Sequence, residues 1–153
     1  MGILRKPYFR GRSIHRLDAK GRLRIPSKYR EVLQNHYTDA LVITLLEGCL
    51  VAYPPEVWEK IEDKTESLSD VDPKHRAFMR LFISAAEECE FDNKGRILLS
   101  PFQRSKAGLN SEVLLVGVLK GFEIWDTAAW ESHDEWNRSH YKEIMEGIAS
   151  EGF

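Results

Sequence analysis

Two short stretches carry the clearest chemical pattern in this chain: Asp18-Ala-Lys-Gly-Arg22 and, 74 positions later, Asp92-Asn-Lys-Gly-Arg96. An aspartate followed three residues later by glycine suits a type I turn with the glycine at positive φ. The carboxylate is then placed to cap backbone N–H groups or to pair with the arginine. Asp18 and Gly21, and Asp92 and Gly95, are therefore read as turn residues. A turn needs no cation, so Lys20 and Arg22, with Lys94 and Arg96 as their echo, are better explained by contact with phosphate or base edges.

The repetition extends beyond the motif. Leu23-Arg-Ile-Pro-Ser-Lys-Tyr-Arg30 is answered by Ile97-Leu-Leu-Ser-Pro-Phe-Gln-Arg104, and Leu50-Val-Ala-Tyr53 with Trp58 by Phe122-Glu-Ile-Trp125 with Trp130. Three echoes in one order indicate a duplicated unit of roughly 70 residues. Each unit reads as strand, strand, short helix, strand, strand, helix. Ser13–Leu17 and Arg22–Ile25 flank the first turn, and Cys89–Phe91 and Arg96–Leu99 the second. Pro26 and the Ser100-Pro-Phe-Gln103 capping box open the short helices. Leu41–Leu46 turns through Glu47-Gly48 into Cys49–Tyr53, and Val113–Leu119 through Lys120-Gly121 into Phe122–Trp125. Between the units, Pro55–Leu68 predicts one helix and Asp72-Pro73 opens a second, with Phe78, Leu81 and Phe82 packing inward. Asp126 caps a helix running to about Ala149.

Several function classes are disfavoured. Cys49 and Cys89 are too few and too far apart for a zinc ribbon or a disulfide framework, and read as buried, reduced thiols. No histidine pair has metal-ligand spacing completed by a neighbouring cysteine or carboxylate, and no phosphate loop or nucleophile elbow appears. Glu87, Glu88, Glu90 and Asp92 have no recognisable catalytic partner and read as surface or subunit contact. No apolar run reaches 18 residues and the amino terminus lacks the apolar core of a secretory signal, so a cytoplasmic protein is expected.

The net charge of −2 hides an asymmetry: residues 1–30 carry +9 and the remainder −11. The positive end coincides with a turn flanked by strands, which favours a localised polyanion-binding surface. Arginine dominates it (Arg12, Arg16, Arg22 and Arg24), and arginine can grip guanine O6 and N7 with two donors.

These residues resemble the MraZ family of bacterial transcriptional regulators, related to the AbrB-type swapped-hairpin DNA binders. The resemblance is carried by Phe9-Arg-Gly11, Leu17–Arg30, Cys49-Leu-Val-Ala-Tyr-Pro54 with Trp58, Glu88–Arg96 and Phe122–Trp125. Eight residues precede Phe9, whereas members of the family usually begin close to this motif. The resemblance and the duplication together imply a mainly β (α+β) fold with peripheral helices. Two AbrB-like halves, 9–54 and 89–125, would close into one barrel-like pseudo-dimer, with linking helices over 55–88 and a C-terminal helix over 126–153. The resemblance also implies a ring-shaped homo-oligomer acting on direct repeats in double-stranded promoter DNA. The repeats would lie upstream of the division and cell-wall gene cluster, including the protein's own promoter, with nucleoid association. No cofactor, metal, membrane or small-molecule substrate is implied.

Arg12, Arg16, Lys20, Arg22 and Arg24 are the expected DNA contacts, with Arg22 the most sensitive. Lys94 and Arg96 follow acidic residues in the chain and are expected to add a weaker contact, Arg96 serving its own turn through Asp92. The competing reading is an oligomeric protein-interaction module that uses the same fold without DNA.

Overall fold

The computed structural model describes residues 6–153; Arg5, counted above in the basic end, lies outside them. Among the described residues there are eight strands: β1 (Arg12–Arg16), β2 (Arg22–Arg24), β3 (Ala40–Leu46), β4 (Cys49–Tyr53), β5 (Glu87–Glu90), β6 (Arg96–Leu98), β7 (Glu112–Gly117) and β8 (Phe122–Asp126). The helices are α1 (Ser27–His36), α2 (Pro55–Thr65), α3 (Pro73–Phe78), α4 (Pro101–Lys106), α5 (Thr127–Ser139) and α6 (Tyr141–Ser150). A π-helical turn over Met79–Ile83 continues α3.

Each half hands a strand to the other. β1, from the first half, pairs with β7 of the second, and β5, from the second, pairs with β3 of the first. The six-stranded antiparallel sheet therefore runs β1-β7-β8-β4-β3-β5, which is its own image when the halves are exchanged. β2 and β6 pair with each other in a separate antiparallel ribbon, Leu23 opposite Ile97. The strands flanking each turn thus form no ladder together beyond the turn. The six-stranded sheet is open, with β1 and β5 as its edges, so strand pairing does not close a barrel.

Alternation of side chains along each strand explains the exchange. In β3 and β7 most positions are apolar and buried, as expected of strands covered on both faces. In the ribbon only Leu23 and Ile97 point inward, and both are buried at 1% exposure or less. They meet Leu41, Ile43, Leu50, Leu115 and Ile124 from the sheet in one shared core. Tyr29 and Leu33 of α1 enter the same core, where Tyr29 packs against Phe9 and Phe122 at ring separations of 5.3 and 4.9 Å. Neither half has a core of its own.

α4 is tied in by Gln103, whose side-chain amide donates to Ile43 O and Ala85 O at 2.8 and 3.1 Å. Its backbone N–H is capped by Ser100 Oγ, but its side chain reaches into the core and not back to Ser100 as a capping box would have it. On the sheet's other face, Cys49, Leu114, Val116 and Trp125 form a smaller cluster under Ala129 and Trp130 of α5.

Two helical expectations are corrected. The C-terminal stretch breaks at His140 into α5 and α6. Phe78 and Leu81 do not pack inward: they are 39% and 70% exposed. Only Phe82 turns toward the protein, against Trp58 at 5.4 Å, while Thr44 Oγ1 donates to the Phe82 carbonyl. The π-helical turn, with Ser84 N–H reaching Met79 O, shifts the register of the apolar stripe.

Candidate nucleic-acid interface

The two turns are near copies. In the first, Asp18 Oδ1 accepts the N–H groups of Lys20 and Arg22 at 3.0 and 2.9 Å, and Gly21 N–H donates to Asp18 O at 3.0 Å. In the second, Asp92 Oδ1 accepts from Lys94 and Arg96 at 2.8 and 2.9 Å, and Gly95 N–H donates to Asp92 O at 3.1 Å. Gly21 and Gly95 have φ of +86° and +75°, in the region glycine occupies without steric cost. The backbone N–H of Arg22, its guanidinium and the N–H of Lys20 hold the Asp18 carboxyl down to about 2, against a smaller opposing effect of desolvation. Asp92 is lowered for the same reasons, led by the N–H of Arg96. Both carboxylates stay charged throughout the neutral range.

The arginines that close the motifs share a further contact. Arg22 Nε donates to Asp18 Oδ2 at 2.5 Å and Arg96 Nε to Asp92 Oδ2 at 2.9 Å. Arg96 also brings Nη1 within 3.8 Å of Asp18. Its side chain is 23% exposed against 36% for Arg22. Each is anchored through Nε. Arg22, held by one carboxylate where Arg96 meets two, keeps its Nη nitrogens clear of hydrogen bonds among the described residues.

Strand exchange decides what surrounds each turn. Because β2 and β6 run antiparallel, the end of each lies beside the turn that starts the other: Ile25 N–H donates to Gly95 O, and Leu99 N–H to Gly21 O. A cleft of about 600 Å³ opens there, lined by His15, Arg24, Ile25, Pro26, Ser27, Arg30, Asn93, Lys94 and Gly95. Lys94, placed by the linear sequence after a run of glutamates, shares this cleft with Arg24 of the other half. A swapped fold does not preserve sequence neighbours, so this juxtaposition cannot be read from the order of the chain. α1 begins at the same place with Pro26 as its cap and no side-chain oxygen on its first N–H groups, leaving partial positive charge at the cleft wall. Burial lowers the pKa of His15, whose Nε2 lies 2.7 Å from Ser13 Oγ, so the imidazole is neutral at neutral pH.

The remaining expected contacts divide by how they are held. Lys20 and Arg24 are exposed. Arg16 lies 3.8 Å from Glu112 with its side chain 74% exposed, a loose pair. Arg12 places its guanidinium 4.9 Å from the Trp130 ring on the outer sheet face, against α5. Two residues that sequence reasoning passed over support the turns from beneath. Arg30 pairs with Asp39 at 3.0 Å, lies over the Phe91 ring at 4.4 Å and sits below Gly95. Arg104 donates to Leu99 O and lies below Gly21. Their signal was in the repeat itself, since arginine ends both aligned segments 74 residues apart.

Comparison with known proteins agrees with the duplication. The family model of the MraZ protein, described as antitoxin-like, matches twice, over residues 8–81 and 82–151. The transcriptional regulator MraZ of Syntrophobacter fumaroxidans is 65% identical over 147 residues, covering 96% of this chain and 98% of that protein. The transcriptional regulators MraZ of Shewanella denitrificans and Acidithiobacillus ferrooxidans are 47% and 44% identical, covering 80% and 83% of this chain and 82% and 88% of their own lengths. With both halves matched in sequence and exchanged in structure, this chain belongs to the MraZ family.

Proposed function

We propose that this protein is a sequence-specific DNA-binding transcriptional regulator, working from the cytoplasm at the nucleoid. Its targets are direct repeats upstream of the division and cell-wall gene cluster, including its own promoter. The relatives' shared name, transcriptional regulator, supports the coarse part of this reading. The observation that supports contact with DNA is the crossing of the halves at the ribbon, where Arg24 of one and Lys94 of the other line a single cleft beside the uncapped start of α1. That combination suits a phosphodiester.

In this reading Arg22 offers its Nη nitrogens to a base edge while Nε stays on Asp18. Arg24 and Arg16 support it, and Lys20 and Lys94 neutralise phosphates. Arg12, resting on Trp130, contributes charge from the periphery. Arg96, bonded to Asp92 and loosely paired with Asp18, mainly supports its own turn. The ribbon and the sheet act together as one barrel-like pseudo-dimer of halves 9–54 and 89–125. A ring-shaped homo-oligomer presents many copies of this surface to tandem repeats, gaining effective concentration with no new contact.

Footprinting of the DNA upstream of the native gene, alongside a shuffled duplex at graded salt, tests the proposal. Protection of spaced repeats, weakening steeply with salt, is the expected result. Equal affinity for both duplexes, or none for either, would favour the alternative of a protein-interaction module.

A further inference from the structure

The ribbon of β2 and β6 has one face in the core and one that looks outward. Leu23 and Ile97 point inward, so their neighbours Arg22, Arg24, Arg96 and Leu98 share the outer face. Register sets Arg22 opposite Leu98 and Arg24 opposite Arg96. Exchanging the halves carries Arg22 onto Arg96 and Arg24 onto Leu98, so a leucine stands where the symmetry of the ribbon calls for a fourth arginine. A single exposed leucine is ordinary on a protein surface. This one, 59% exposed, breaks an otherwise cationic face at the position directly across from the arginine assigned to a base edge.

The ladder sets how close these two side chains start. Leu99 N–H donates to Gly21 O and Ile25 N–H to Gly95 O, which makes Arg22 and Leu98 a pair without ladder bonds of its own. Such pairs bring their Cα atoms to about 4.5 Å, the closer of the two antiparallel spacings. Successive bases of one DNA strand are about 3.4 Å apart. Side chains leaving Arg22 and Leu98 therefore reach adjacent base pairs when the ribbon lies in the major groove, which is wide enough for two strands. Arg22 donates hydrogen bonds there. Leu98 can neither donate nor accept, and the apolar feature that a base edge offers in that groove is the C5-methyl of thymine.

We propose that Leu98 is a specificity residue, packing on the C5-methyl of a thymine in the base pair beside the one that Arg22 reads. This rests on the DNA-binding reading above and adds a second kind of base contact to it. Because Arg24 and Leu98 differ where the symmetry of the halves would make them alike, the ribbon reads a site in one orientation, as repeats pointing the same way require.

Deoxyuridine isolates the contact, since it keeps the pairing and the O4 acceptor of thymine and lacks only the methyl. Anisotropy titrations use a duplex from upstream of the native gene with each thymine replaced in turn, beside a shuffled duplex. For the parent, one replacement is expected to weaken binding about fourfold, the worth of one buried methyl group. Leu98→Ala should bind the thymine and deoxyuridine duplexes equally, both at the parent's deoxyuridine level, and Leu98→Met should keep the preference. A merely structural role would weaken binding of both duplexes by Leu98→Ala and leave the preference intact, which overturns the proposal. So does a parent that prefers the native duplex to the shuffled one yet is indifferent to every replacement, and in that case the DNA-binding reading still stands. A parent that binds native and shuffled duplexes alike removes that reading and this proposal with it. Should Leu98→Ala lose its fold by circular dichroism, Leu98→Gln takes its place with the same expected loss of preference.

Discussion

Replacing either motif glycine by alanine should unfold the protein more easily, but by unequal amounts, and the inequality follows from the crossing of the halves. Both positions have positive φ, which costs a residue with Cβ roughly 1–2 kcal/mol. At Gly95 the added methyl meets only the Arg30 Nη1 at 3.3 Å, the mobile end of a side chain. At Gly21 it meets the Arg104 Nε at 2.5 Å and the Leu99 carbonyl oxygen at 2.9 Å. Arg104 can move only by giving up its hydrogen bond to that same carbonyl. The carbonyl belongs to a residue whose N–H is bonded to Gly21 O, so backbone must shift. Overpacking of this kind adds about 1–3 kcal/mol. Gly95→Ala is therefore expected to cost about 1–2 kcal/mol and Gly21→Ala about 2–5 kcal/mol. Urea unfolding at one fixed chain concentration reads the difference and keeps assembly from confounding it. Equal losses, or a larger loss at Gly95, would refute the claim that the first turn is wedged against the second half.

Gln103→Leu leaves the carbonyls of Ile43 and Ala85 without their donor and should lower unfolding stability by about 2–4 kcal/mol in the same urea assay, less any relief of the unpartnered Gln103 Oε1. The Asp18 carboxyl is depressed in the fold, so its stabilising share is complete above pH 4 and disappears as pH falls through about 2. Asp18→Asn should accordingly flatten the acid limb of a pH-dependent unfolding series between those values, leaving pH 5 to 8 unchanged in slope. Arg24→Ala and Lys94→Ala should each reduce the salt dependence of DNA binding by close to one counterion per site, about 0.9 in log–log slope. Because the two line one cleft, the double variant should lose less affinity than the two single losses combined.

Much of the fold was legible because duplication fixes element order twice. The turns, the two short helices behind Pro26 and Ser100, and the strand pairs either side of Glu47-Gly48 and Lys120-Gly121 all follow local rules of spacing and turn chemistry. What escaped was non-local. Nothing in Arg12–Arg16 says that its partner is Glu112–Gly117 and not the strand just beyond its own turn. That Lys94 lines a cleft with Arg24 was hidden for that reason, since chain distance does not measure distance across an exchanged pair. Leu81 misled by composition: its apolar side chain fits a core stripe, and only the π-helical register turns it to solvent. Arg22 and Arg96 are each first tied to the aspartate of their own turn, as the spacing of the motif led one to expect.

The central claim is that Arg22, the half-buried arginine of the first turn, reads DNA. Anisotropy titration of a labelled duplex from upstream of the native gene, at one salt concentration and with assembly checked for each variant, tests it directly. Arg22→Ala is expected to weaken specific binding by roughly 5- to 150-fold, the equivalent of losing one bidentate base contact. Arg96→Ala should change it little. Intact binding by Arg22→Ala together with abolished binding by Arg96→Ala would contradict the account.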